Sequence, residues 1–105
     1  MDIIQECMQM TAYGGEAKSL AMLAIKQARE GDVRQAEESL SKSEEALRKS
    51  HDAHTKLLSN DAENEGLQVS LFMVHAADHL TSAEIIHDLA GEFIYLHKNQ
   101  QKEVG

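Results

Sequence analysis

QAREGDVRQA, residues 27–36, is the stretch on which the fold turns. Gly31 can take the left-handed backbone conformation that ends a helix. Asp32, followed three residues later by Gln35, reads as a capping box that opens the next one. A break this short between two runs of helix-forming residues predicts two antiparallel helices that pack as neighbours.

Working outward, the chain has no proline and only six glycines, so few residues interrupt long stretches of Ala, Leu, Glu, Lys and Gln. A second break is expected at SNDAENEG, residues 59–66, which lacks apolar periodicity and reads as a loop. The polar tail after His97 is expected to fray. Gly14-Gly15 falls inside a helical pattern and points to close helix packing or a kink. The expected architecture is all-α: one domain over residues 1–105, an antiparallel three-helix bundle with helices at about 2–30, 33–58 and 67–98.

Composition supports this and excludes several classes. The 105 residues are 42% hydrophobic but only 4% aromatic, the filling of packed helices rather than of a sandwich. No apolar run approaches the length that crosses a bilayer, and MDIIQECMQM is too acidic to start a secretory signal. A net charge of -8 has the wrong sign for nucleic acid or an anionic membrane and suits a basic protein surface. Cys7 is the single cysteine, so no internal disulfide is expected and a cytoplasmic location is the default.

Val33, Ala36, Leu40, Ser43, Leu47, Ser50, His54 and Leu57 recur at spacings of three and four, the stripe by which a helix meets a core. The third helix differs. Leu71, Val74, Ile85, Leu89, Phe93 and Leu96 make one stripe, while Phe72, Met73, Leu80, Ile86, Ile94 and Tyr95 cover much of the rest. A helix apolar on more than one side needs more than one partner, which predicts self-association through this helix.

Chemistry concentrates in His75, Asp78 and His79, which the spacings i, i+3 and i+4 place on one helical face. Asp78 falls inside the first apolar stripe, where an isolated carboxylate would need a partner or a cation. Three readings stand: ordinary polar histidines, a metal site completed by another helix or subunit, and a histidine that carries a phosphoryl group. The last needs one ring nitrogen held, the other free, and donors to steady the phosphoryl oxygens.

Other patterns are weaker. Ala76 stands where H-E-x-x-H requires glutamate, and Glu84-x-x-His87 is only half of a di-iron pattern, so His87 reads as a surface or interface residue and Glu84 as solvated. His51 and His54 lie one turn apart and read as a polar face or, less simply, a metal pair. Neither a P-loop nor a dinucleotide fingerprint occurs, so no organic cofactor is expected.

VHAADHLTSA at 74–83 resembles the signature VHAQDHLMTA of the enzyme IIA components of the lactose and cellobiose/chitobiose class of the phosphoenolpyruvate-dependent sugar phosphotransferase system. GGEAKSLAMLAIKQAREGDVRQAEESL at 14–40 is similar to that family's Gly-x-Ala-Arg-Ser helix and Gly-Asp turn, and SHDAHTKLL at 50–58 to its Ala-His-x-x-Gln-Thr segment.

The resemblance implies a homotrimeric phosphocarrier with His75 as the phosphorylated nucleophile and His79 in support. HPr would be the donor, a cysteine of the IIB component the acceptor, and the membrane IIC component an indirect partner in disaccharide uptake. It also implies that three copies of Asp78 hold a divalent cation such as Mg2+ at the trimer axis. Two positions depart from the family: Ala77 replaces the signature glutamine, and His54 the glutamine of the second-helix segment. Thr81, in place of a methionine, and His54 are expected candidates to compensate. The alternative is a non-catalytic helical regulatory or interaction protein that keeps the IIA fold.

Overall fold

The turn at Gly31 closes by two bonds that end the first helix, α1 (Ile3–Arg29). Gly31 N–H donates to Ala28 O at 3.0 Å and Asp32 N–H to Gln27 O at 2.9 Å, the pattern of a Schellman motif. Gly31 sits at φ +88°, where a side chain would be strained. Asp32 then caps α2 (Val33–Glu63), its Oδ1 accepting from Gln35 N at 3.1 Å. The expected capping box forms only in this half. Asp32 N–H is already engaged with Gln27 O, so the Gln35 side chain instead accepts from Gln27 Nε2 at 3.2 Å.

In the computed structural model of the chain, residues 2–63 and 70–104 are described, with side chains for 2–60 and 70–101. The elements are α1, α2 and α3 (Leu71–Val104), and no strand occurs among the described residues. The protomer is a rod with extents of 59 × 18 × 18 Å, its third helix running parallel to the first.

Two boundaries differ from expectation. Residues 59–63, read as part of a loop, continue α2, because Ser, Asn, Asp, Ala and Glu tolerate a helix that tertiary packing has already nucleated. Residues 64–66 of that stretch lie outside the described residues, as do 67–69, the expected start of the third helix. α3 instead starts at Leu71, with Ser70 Oγ accepting from Met73 N at 3.2 Å as its cap. At the other end α3 runs past His97 to Val104 rather than fraying. Lys98 Nζ donates to Glu37 Oε1 at 3.0 Å and Gln101 Nε2 to Gly31 O at 2.9 Å, which anchor this end to the opening of α2 and the turn.

α1 meets its neighbours through Cys7, Met10, Gly14, Ala17, Ala21, Ala24 and Ala28, a buried face of mostly small residues at spacings of three and four. Small residues let helices approach until buried hydroxyls reach across. Ser43 Oγ donates to Ala17 O at 2.7 Å and Ser50 Oγ to Met10 O at 2.9 Å, both from the predicted stripe of α2. Without those partners each buried hydroxyl would cost about 1–3 kcal/mol.

Large apolar side chains in the core are few: Met10, Leu47, Leu57, Leu80 and Ile94. Each contributes about 1.5–3 kcal/mol when fully buried. More large apolar side chains remain outside. Leu71, Val74, Ile85, Leu89, Phe93 and Leu96, the first stripe of α3, are all exposed, whereas Ala76, Leu80, Ala83, Ala90 and Ile94 face α1 and α2.

Candidate functional site

His75 lies in the second turn of α3, exposed on the surface. The Ser70 cap fixes where this helix begins, and Val74 N–H donates to Ser70 O at 3.1 Å. The first-turn amides and the positive end of the helix dipole are thus about one turn from the imidazole, a setting that favours added negative charge. The His79 ring stands edge-on to that of His75, centroids 4.5 Å apart and planes at 67°.

His79 is half-buried, and its backbone is where α1 presses on α3. A Cβ at Gly14 would stand 3.4 Å from both C and O of His79 and 3.5 Å from N of Leu80. Of the two sequence alternatives for Gly14, close packing is therefore the one realised. Gly14 seats the histidine-bearing turn, a role that the Gly-Gly pair signalled without showing its partner.

Asp78 is exposed in the protomer, among the side chains of the uncovered stripe, with no hydrogen bond or ion pair among the described residues. The expected problem of a buried carboxylate does not arise within one chain. It arises only if another chain covers the stripe. Among the described residues no three His, Cys, Asp or Glu side chains come together to hold a metal ion. The metal-site reading thus finds no centre inside the protomer.

The remaining candidates are drawn into structural roles. His51 Nε2 lies 2.6 Å from Glu84 Oε1, so His51 pairs with α3 rather than with His54, and Glu84 is not simply solvated. His87, expected at a surface or an interface, is half-buried with Nδ1 3.0 Å from Ser43 Oγ. Thr81 Oγ1 donates to Ala77 O at 3.1 Å, so its proton is used within its own helix and does not replace the missing glutamine donor in the protomer. His54 is half-buried and makes no hydrogen bond to the signature turn among the described residues. Cys7 is a free, buried thiol, pushed up from its ordinary pKa by burial and secondarily by Glu6, which leaves it a poor nucleophile.

What remains accessible is an imidazole that lines a shallow, open groove together with Leu71 and Phe72. Such a site does not enclose a small substrate. Its geometry suits a nucleophile whose reaction partner arrives on the surface of another macromolecule. Among the described residues no helix is long and apolar enough to cross a membrane.

Residues 5–98 match the family model described as the lactose/cellobiose-specific IIA subunit of the phosphotransferase system. The lichenan-specific phosphotransferase enzyme IIA component of Bacillus subtilis (strain 168) is 38% identical over 97 residues, covering 92% of this chain and 88% of that protein. The crystal structure of the cellobiose-specific enzyme IIA from Bacillus anthracis superposes with a TM-score of 0.90 at 33% identity, covering 97% of this chain and 94% of that one. The IIA(chitobiose)–HPr complex from the N,N'-diacetylchitobiose branch of the Escherichia coli phosphotransferase system gives a TM-score of 0.82 at 36% identity, covering 96% and 98%.

Proposed function

Because the chain belongs to the lactose/cellobiose-specific IIA family of the phosphotransferase system, we propose that it is a cytoplasmic phosphocarrier in which His75 takes a phosphoryl group from phospho-HPr and passes it to a IIB component. The observation that carries this reading is the pairing of an exposed His75 with a half-buried His79 at the capped end of α3.

In the first step the free nitrogen of His75 attacks phosphorus. Its N–P bond forms as the N–P bond of the donor phosphohistidine breaks. The departing imidazole keeps the electron pair and takes up a proton, and His75 releases one from its other nitrogen to solvent when it becomes neutral. In the second step a thiolate of IIB attacks the same phosphorus and His75 leaves protonated. His79 steadies the phosphoryl oxygens and limits the rotation of the His75 ring. The dipole of α3 favours the dianionic product. The membrane IIC component, with IIB, would deliver the group to a disaccharide; the relatives' names cover lichenan, cellobiose and N,N'-diacetylchitobiose systems.

The working assembly on this reading is a homotrimer that covers the exposed stripe of α3, and three copies of Asp78 then face one another near its axis. Asp78 is unpaired among the described residues and lies in that stripe, so it fits a divalent cation such as Mg2+ once covered. The cation would offset three like charges and has no part in the transfer itself.

The test is intact mass after incubation with phosphoenolpyruvate, enzyme I and HPr. One acid-labile phosphoryl group on the unsubstituted chain, absent from His75→Ala, is expected. No mass change while HPr is fully phosphorylated would instead support a non-catalytic protein with the IIA fold.

A further inference from the structure

Thr11 Oγ1, on α1, is buried and has no hydrogen-bond partner among the described residues. A threonine inside a helix has an easy partner in the carbonyl four residues back, and Thr81 Oγ1 uses it, donating to Ala77 O at 3.1 Å. Thr11 makes no such bond to Cys7 O, so its proton is unused. A buried hydroxyl left unpaired destabilises a fold and calls for a reason.

Helix geometry places this hydroxyl beside His79. Gly14 packs on the backbone of His79 and Leu80, and α1 and α3 run parallel. Thr11 precedes Gly14 by three residues, about 4.5 Å along the axis towards the start of both helices. A helical side chain leans over the turn that precedes its own Cα, so the ring of His79 covers that same level. The side of the helix agrees as well. Ala17, whose carbonyl accepts from Ser43 of α2, lies about 60° round α1 from Gly14 in one sense, and Thr11 about 60° in the other, away from α2. On α3, Glu84 and His87 meet α2, while His75 lies about 40° from His79 in the opposite sense. Thr11, His79 and His75 therefore share the seam of α1 and α3 that faces away from α2. His79, half-buried there, stands edge-on to His75 and makes no hydrogen bond among the described residues.

We propose that Thr11 Oγ1–H donates to one ring nitrogen of His79 and so turns the other, as N–H, towards a phosphoryl group on His75. Thr11 is then a positioning residue that acts through His79, and no covalent bond changes. The inference rests on the phosphocarrier reading above and adds to it how the supporting histidine is held. A neutral imidazole has one N–H and one bare nitrogen, and only the N–H serves a phosphoryl oxygen. A hydroxyl that donates to one nitrogen leaves the tautomer with its proton on the other. The contact needs only side-chain rotation, since both residues already face one seam, and it satisfies two groups that lack partners in the protomer. It also bears on the donor lost at Ala77. Thr81 spends its proton within its own helix and His54 makes no bond to the signature turn, whereas a His79 held in this tautomer supplies a donor.

The experiment compares the unsubstituted chain with Thr11→Val, Thr11→Ser, His79→Ala and the double variant of Thr11→Val with His79→Ala. Three readouts are taken: rapid-quench phosphorylation by phospho-HPr, nitrogen-15 spectra of the neutral imidazoles, and urea unfolding. Valine keeps the shape of threonine and removes the unpaired hydroxyl, so Thr11→Val should be as stable as the unsubstituted chain or more so, yet transfer about tenfold more slowly. The nitrogen resonances of His79 should move in Thr11→Val while those of His87 stay in place. Thr11→Ser, which keeps the hydroxyl, should restore both the rate and the resonances. In the His79→Ala background, Thr11→Val should change the rate no further. An unslowed Thr11→Val, unmoved His79 resonances, or equal slowing with and without His79 would each overturn the proposal. So would a Thr11→Val protein that slows only as it loses stability, with Thr11→Ser no better, because the role would then be structural. If the unsubstituted chain takes no phosphoryl group while HPr is fully phosphorylated, the carrier reading has failed, and the His79 resonances alone then decide whether the hydrogen bond exists.

Discussion

Ser43 Oγ stands 3.0 Å from His87 Nδ1 and joins α2 to α3. The same hydroxyl lies 2.7 Å from the carbonyl of Ala17 on α1 and gives it its only proton. The bond to His87 must then run the other way, with Nδ1–H donating to Ser43 Oγ. All three helices meet at this one oxygen. Neutral His87 is therefore expected as the Nδ1–H tautomer in nitrogen-15 spectra of the imidazoles, and an Nε2–H assignment would contradict this hydrogen-bond order. Ser43→Ala strands the His87 donor and should destabilise the fold by about 1–3 kcal/mol in urea unfolding.

The two signature histidines should separate kinetically. His79→Ala leaves the nucleophile in place, so phosphorylation by phospho-HPr should persist, with transfer slowed on the order of 10²-fold, as when one oxyanion donor is lost. Rapid-quench measurement of the phosphorylated fraction would show it. A His79→Ala protein as fast as the unsubstituted one would remove His79 from the site.

Glycine substitutions at the turn and at the α1–α3 contact should both destabilise, for different reasons. Gly31→Ala forces a side chain into φ +88° and should cost about 1–2 kcal/mol by thermal or urea unfolding. Gly14→Leu would push α1 away from His79 and should cost about 1–3 kcal/mol, with slower phosphorylation because the turn loses its seat.

Cys7 adds a pH dependence. Its folded-state pKa is raised by burial, so the folded state prefers the thiol and the unfolded state ionises first. The stabilisation is full below the unfolded thiol's pKa of about 8.5 and is lost as pH rises through the folded value. Stability should therefore fall in alkaline buffer, and Cys7→Ala should flatten that part of the curve. Alkylation of Cys7 by iodoacetamide should be slow until the chain unfolds.

His51 and Glu84 test the smallest of these contributions. Their side chains are 49% and 40% exposed, so despite the 2.6 Å contact a double-mutant cycle should give a coupling of only about 0.2–1 kcal/mol, weaker at high salt. A coupling of several kcal/mol would mean that the seam between α2 and α3 is far less solvated than it stands in the protomer.

Sequence alone determined what depends on near neighbours. The turn at Gly31 and Asp32 was legible because a left-handed glycine and a side-chain cap act within a few residues. So was the inward stripe of α2, a matter of helical period. The signature at 74–83 was legible because the order of its residues is itself the signal. Only the tertiary structure decided which side of α3 faces inward, since both of its stripes are apolar and the choice depends on how the small-residue face of α1 rotates against it. It also decided that residues 59–63 stay helical, that Gln35 turns to Gln27, and that Glu84 pairs with His51 and His87 with Ser43. Gly14 and Gly15 show the difference most simply: identical neighbours in sequence, they are set 100° apart around a helix, so one meets the backbone of His79 and the other meets open space.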